Sequence, residues 1–154
     1  MTDEFRISLD GISDRLTLYG MLFAVSNRIQ TIGDSQFEDM TMKQHFLMIV
    51  LGMLQPHQPT LNETARLVGC SYQNVKRMAV HLEKSGYVSI VPDAQDRRKQ
   101  RLVASEKFAR VNAEKQAMAD VFMNTLYRDI PDDELRSAIS VLRRMDENLG
   151  GLYG

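Results

Sequence analysis

The chain has 154 residues, 44% hydrophobic and 25% charged, enough to bury one domain's core without metal or disulfide staples. A single cysteine excludes an intrachain disulfide, Met1-Thr2-Asp3-Glu4-Phe5-Arg6 lacks a signal-peptide pattern, and the apolar stretch 46–54 is too short to cross a bilayer, so a cytoplasmic protein is expected. The net charge of −1 hides a gradient: residues 1–40 carry three basic and seven acidic side chains, residues 71–110 nine and four, and a basic centre between acidic ends suits a polyanion.

Ile12, Leu16, Tyr19, Leu22, Phe23, Ile29 and Ile32 recur at helical spacing, which predicts a helix over 12–32 that Gly33-Asp34-Ser35 ends. Thr41 and Gln44 fit a capping box opening a second helix, to about Leu54. Pro56-His57-Gln58-Pro59 is a loop, since two prolines this close do not sit inside a helix. Thr60 and Glu63 form a second capping box, starting a short helix through Leu67 that Gly69 stops. Ser71 caps the next helix, which Gly86 terminates.

After Gly86 the period changes. Residues 87–91 are rich in β-branched side chains, Pro92-Asp93-Ala94-Gln95-Asp96 is turn chemistry, and 100–103 returns as the antiparallel partner. Ser105 is expected to cap one long helix through about Arg128. Pro131, followed by Asp132-Asp133-Glu134, opens a last helix with Leu135, Ile139, Leu142 and Met145 along one stripe. Gly150, Gly151 and Gly154 mark a frayed tail.

This order predicts a mainly α protein with a small β-hairpin wing: a winged helix-turn-helix lobe over about 41–104, with helices at about 8–35 and 105–149 outside it, in one domain spanning 1–154. In the helix after Ser71, Val75, Met78, Ala79 and Leu82 follow the i, i+3, i+4, i+7 rule and face a core. The opposite face then carries Gln73, Arg77, Val80 and Lys84, flanked by Asn74, Lys76 and His81, with Tyr72 near the start. Amide side chains pair bidentately with adenine and arginine with guanine in a major groove wide enough for a helix. A polar face alone is ordinary; the preceding helix, its turn and the following hairpin make it a recognition helix. At the hairpin tip, Arg97, Arg98 and Lys99 are three consecutive cations able to reach phosphates or a narrow minor groove. Asp93, Asp96 and Arg98 are expected to hold the hairpin's shape, with Arg97 and Lys99 reaching outward.

Leu61 to Phe108 resembles the DNA-binding core of the MarR family of winged-helix regulators. The likeness runs through Leu61-Asn62-Glu63-Thr64-Ala65-Arg66-Leu67-Val68-Gly69-Cys70-Ser71, then Val75, Leu82-Glu83-Lys84-Ser85-Gly86-Tyr87-Val88, and Asp93 to Arg98. The resemblance implies a homodimer joined by its terminal helices, acting as a sequence-specific transcriptional regulator of double-stranded DNA, and in particular a ligand-responsive repressor on a pseudo-palindromic operator. It places Ser71, Tyr72, Gln73, Asn74, Lys76, Arg77 and His81 on the recognition helix, and Gln95, Arg97, Arg98 and Lys99 on the wing, against DNA. Gln95 stands where many members carry a minor-groove arginine, and Ala104 where leucine is usual. The family's effectors sit between the dimer helices and the lobe, where Tyr19, Met42, His45 and Phe46 are the nearest lining residues here; each is equally a plausible core residue.

Other residues read more plainly. Cys70 is expected to pack as a small hydrophobe rather than to act as a redox switch. His45, His57 and His81 lie on different elements without metal-ligand spacing, so neither a metal nor a cofactor is expected. The ten methionines read first as core filler. No phosphate loop, nucleophile–base arrangement or paired carboxylate is found, so an enzyme is not expected. The alternative reading is a winged-helix module that docks protein or RNA without operator specificity.

Overall fold

The computed structural model describes residues 8–152; the Met1–Arg6 segment and Gly154, both read above, lie outside them. No helix among the described residues is long and apolar enough to cross a membrane. The chain divides into two compact units, Met1–Lys43 and Gln44–Gly154.

The first unit is built on helix α1 (Asp14–Asp34). Ser13 caps it, its side chain accepting the Leu16 amide, and Asp14 complements the positive end of the dipole. The expected stop at Gly33 is corrected: Gly33 lies inside the helix and is buried, and Ser35 is the C-cap. The reason is packing. An ideal Cβ at Gly33 would stand 2.1 Å from Met42 Cε, so the glycine leaves the room that the methionine fills. Asp34 then accepts the Met42 amide at 2.6 Å, at the start of α2 (Met42–Met53). Leu16, Tyr19 and Phe23 form an exposed apolar stripe, with the Tyr19 and Phe23 rings edge to face at 5.1 Å.

In the second unit, α3 (Leu61–Val68) starts at the expected capping box. Glu63 N–H donates to Thr60 Oγ1, and the Thr60 amide donates to Glu63 Oε2 at 2.6 Å, which holds the Glu63 carboxyl below its ordinary pKa. Such a cap contributes about 1 kcal/mol. Gly69 takes a left-handed φ of 67° and ends the helix, as expected. Helix α4 (Tyr72–Lys84) follows after Ser71, and Gly86, at φ 78°, turns the chain into the hairpin.

Strands β1 (Val88–Pro92) and β2 (Gln100–Ala104) pair antiparallel, Val88 opposite Ala104 and Pro92 opposite Gln100. On the other edge of β2, the Leu102 amide donates to the Pro59 carbonyl, tying the loop before α3 to the hairpin. Glu83 of α4 accepts the Ile90 amide at 2.8 Å. Leu47, Met48, Leu51, Leu61, Val75, Ala79, Leu82, Tyr87 and Leu102 are almost wholly buried and form the lobe's core. Each large aliphatic side chain among them contributes about 1.5–3 kcal/mol. Met48 bears out the core reading of the methionines, whereas Met53 is 78% exposed.

The expected long helix is two: α5 (Glu106–Glu114) and α6 (Gln116–Leu126). Lys115 breaks them at φ −95°, ψ 3°, although Lys115 N–H still reaches Val111 and Ala119 N–H still reaches Lys115. The break is a local change of backbone angle that no proline or glycine announces. Ser105 occupies the N-cap of α5, but its hydroxyl donates to the Gly86 carbonyl at 2.7 Å rather than accepting a helix amide. Lys107 joins it, donating to the Ser85 carbonyl at 2.6 Å and lying 4.3 Å over the Tyr87 ring. The end of α4 is thereby clamped by the start of α5. Helix α7 (Asp132–Asn148) has Pro131 at its N-cap rather than in its first turn, with three acids following. Ile139 and Leu142 are exposed on it, and Leu135 and Met145 are half-buried. Gly150 and Gly151 form a hydrogen-bonded terminus rather than a frayed one, donating to Glu147 and Asp146.

Candidate nucleic-acid interface

The recognition face is set by what α4 buries. Val75, Ala79 and Leu82 have no exposed surface, and Met78 is half-buried beside them. The helical period therefore turns Gln73, Asn74, Lys76, Arg77, Val80, His81 and Lys84 outward, and all are exposed. Tyr72 is half-buried at the helix start. Ser71 accepts the Asn74 amide at 3.3 Å, which sets the angle at which the first turn leaves the preceding loop. Arg77 Nη2 donates to Asn74 Oδ1 at 3.2 Å, a bond one turn long that draws the guanidinium toward the helix start. The Asn74 amide keeps its donors, and the Arg77 fork keeps the rest of its own.

The wing is organised around a buried carboxylate. Asp93 accepts the Gln95 amide at 2.9 Å and the Asp96 amide at 2.7 Å, and Arg101 Nε donates to its other oxygen. These contacts, the Asp96 amide foremost and Arg101 next, hold the Asp93 carboxyl below its ordinary range. Arg101 also donates through Nη1 to the Gln58 carbonyl. Asp93 is thus the scaffold residue expected from the sequence, but its arginine is Arg101, not Arg98. The signal was in the register: Asp93 stands opposite Lys99 in the continued hairpin, so Arg101 is its diagonal neighbour on the same face. Arg98 does bond Asp96, through its amide at 3.1 Å and its Nε at 3.2 Å, yet its side chain is 93% exposed. Lys99 Nζ lies 4.0 Å from Asp96. Gln95 and Arg97 are exposed at the tip. The loop is held from inside by Asp93 and presents its three cations outward.

The four residues named for an effector pocket divide between the units. Tyr19 and Met42 belong to the first, where Tyr19 is exposed and Met42 packs on Gly33. His45 and Phe46 belong to the second. His45 is half-buried, its Nε2 3.4 Å from Asn112 Oδ1 and its ring 6.1 Å from Phe108; burial lowers its pKa and the Asn112 contact partly opposes this. Phe46 is exposed. Cys70 is half-buried, its Sγ 3.7 Å from the Val68 carbonyl. Among the described residues no cluster of His, Cys, Asp and Glu is placed to hold a metal.

No protein-family model matches the chain, and no curated protein matches it. Solved structures do. A MarR protein from Peptoclostridium difficile superposes with a TM-score of 0.74 at 18% identity, over 94% of this chain and 93% of that one. The chain has the MarR-family fold. MepR from S. aureus, solved in complex with DNA, superposes at 0.73 and 22% identity, over 85% of this chain and 97% of its own. PcaV from Streptomyces coelicolor, solved with its natural ligand, superposes at 0.71 and 17% identity, over 93% and 97%. The MarR fold bears out the mainly helical, winged architecture read from the sequence, with α4 as its recognition helix and β1–β2 as its wing.

Proposed function

We propose that this protein is a homodimeric, sequence-specific regulator of transcription that binds double-stranded DNA, a repressor released by a small ligand. The observation that carries the reading is the coupling of an exposed amide-and-arginine face on α4 to a wing whose cations point out from a Asp93-centred loop. A helix of this kind reads base edges in the major groove while a basic wing holds backbone phosphates. Ser71, Tyr72, Gln73, Asn74, Lys76, Arg77 and His81 are assigned to the first task, and Gln95, Arg97, Arg98 and Lys99 to the second.

Dimerisation rests on exposed apolar stripes. Leu16, Tyr19 and Phe23 on α1, and Ile139 and Leu142 on α7, are too exposed for side chains of their kind to be left in water. We assign the terminal helices to a self-association surface and the residues between to the DNA-binding lobe. Ligand control is supported by the ligand-bound relative of the same fold. His45 and Phe46 in one unit, and Tyr19 and Met42 in the other, are the residues we assign to it. A ligand acts only through unequal affinity for the bound and released forms. A screen of phenolic and aromatic acids that moves neither melting temperature nor DNA affinity rejects an aromatic effector.

Selection of bound sequences from random duplexes tests the function itself. A regulator enriches an inverted repeat with half-sites about 10–10.5 base pairs apart. Failure to enrich any sequence favours a winged-helix module that docks protein or RNA.

A further inference from the structure

Between the wing base and the starts of α3 and α4 lies an open cleft of about 260 Å³. It is separate from the outward face of α4 and from the wing tip at Arg97. Thr60, Asn62, Tyr72, Arg98, Lys99 and Gln100 line it. Two of these are cations, and no carboxylate is part of the lining. The Asn62 and Gln100 amides and the Tyr72 hydroxyl are neutral side chains with hydrogen-bond donors. Paired cations with neutral donors suit a compact anion rich in acceptor oxygens.

Asp96 bears on the same two cations. Its Oδ1 takes Arg98 Nε at 3.2 Å, and its Oδ2 lies 4.0 Å from Lys99 Nζ. The Arg98 side chain is 93% exposed, so the pair is screened by water and contributes little. A carboxylate held this loosely gives way to an anion with more oxygens in the right place.

We propose that this cleft is a phosphate seat in which Arg98 and Lys99 hold one phosphate jointly. In the working protein that phosphate comes from the duplex backbone, and this source rests on the reading under Proposed function. The chemistry of the seat does not, because a free phosphate ion presents the same oxygens. Arg98 and Lys99 therefore count as one backbone contact, while Arg97, at the tip, reaches another.

Two measurements on the full chain test the proposal. Inorganic phosphate is titrated at constant ionic strength while backbone amide resonances are followed. Saturable shifts centred on Asn62, Tyr72, Lys99 and Gln100 are expected, and they vanish in the Arg98→Ala, Lys99→Ala double variant. Shifts no larger than those from matched chloride, or unchanged in the double variant, overturn the seat. In the second measurement, affinity for a random-sequence duplex is followed against salt. The double variant flattens the log–log slope by about 0.9, the worth of one phosphate. A loss of about 1.8 means two separate contacts and overturns the shared seat, as does no change. If the wild-type chain shows the phosphate shifts but binds no duplex, the regulator reading fails and the seat stands, with free phosphate as its ligand.

Discussion

Arg101 and Asp93 tie the two strands of the wing together across its base, Arg101 Nε donating to a carboxylate that also takes the Gln95 and Asp96 amides. The same guanidinium reaches back to the Gln58 carbonyl in the loop before α3. One arginine therefore sets the wing against the body of the lobe, and leaves Arg97, Arg98 and Lys99 outside the network's centre.

This arrangement makes wing order depend on pH in a fixed direction. The folded Asp93 carboxyl titrates below its unfolded range, so its contribution is complete above about pH 4 and is lost as pH falls through the folded value. Amide exchange at Gln95 and Asp96 should accelerate as the solution is acidified through that window. Asp93→Asn should show fast exchange at neutral pH and no such acceleration. Slow exchange in Asp93→Asn at neutral pH would mean that the carboxylate does not organise the loop.

Arg77 and Arg97 should separate base reading from backbone binding. Arg77→Ala should cost about 1–3 kcal/mol per half-site on a selected operator and much less on random duplex. Arg97→Ala should weaken both alike and flatten the salt slope by about one unit. A two-fold dimer carries each change twice, so losses on a full site should exceed the single-lobe figure. Equal losses on operator and random duplex for Arg77→Ala would remove it from base contact.

The apolar stripes should bury more than roughly 2,000 Å² in a dimer. Phe23→Arg or Ile139→Arg, each placing a charge where 59% and 49% of the side chain is exposed in one protomer, should shift sedimentation equilibrium toward monomer and lower stability. A wild-type chain that sediments as a folded monomer at micromolar concentration would leave the stripes without this role.

His45 gives a second pH signature. Burial lowers its pKa from 6.5, so the unfolded chain binds a proton that the folded one refuses. Its contribution to stability is complete above about pH 6.5 and shrinks as pH falls below it. Melting temperature should drop between pH 7.5 and pH 5 more steeply in the wild type than in His45→Gln, about those values being set by the ordinary histidine range. Parallel curves would mean that His45 titrates alike in both states.

Local rules were the legible part of the chain. Thr60 and Glu63, Gly69, Ser71 and Gly86 act within a few residues of themselves, and each marks a boundary where it was expected. The core face of α4 followed from periodicity, since Val75, Ala79 and Leu82 share one side. What the sequence hid depends on partners distant along the chain. Gly33 reads as a stop until Met42 fills the space beside it. Ser105 reads as a cap until the Gly86 carbonyl claims its hydroxyl. Arg101 looks like one more cation of a basic segment until the hairpin register sets it diagonal to Asp93. The break at Lys115 falls among good helix formers and has no local mark.

The most direct measurement is the affinity of the dimer for a selected duplex and for a scrambled one across a salt series. A sequence-specific regulator binds the selected duplex about 10³-fold or more tightly than the scrambled one at physiological salt, and both affinities fall steeply as salt rises. Equal affinity for the two duplexes, or affinity that salt leaves unchanged, would contradict the assignment of α4 and the wing to an operator.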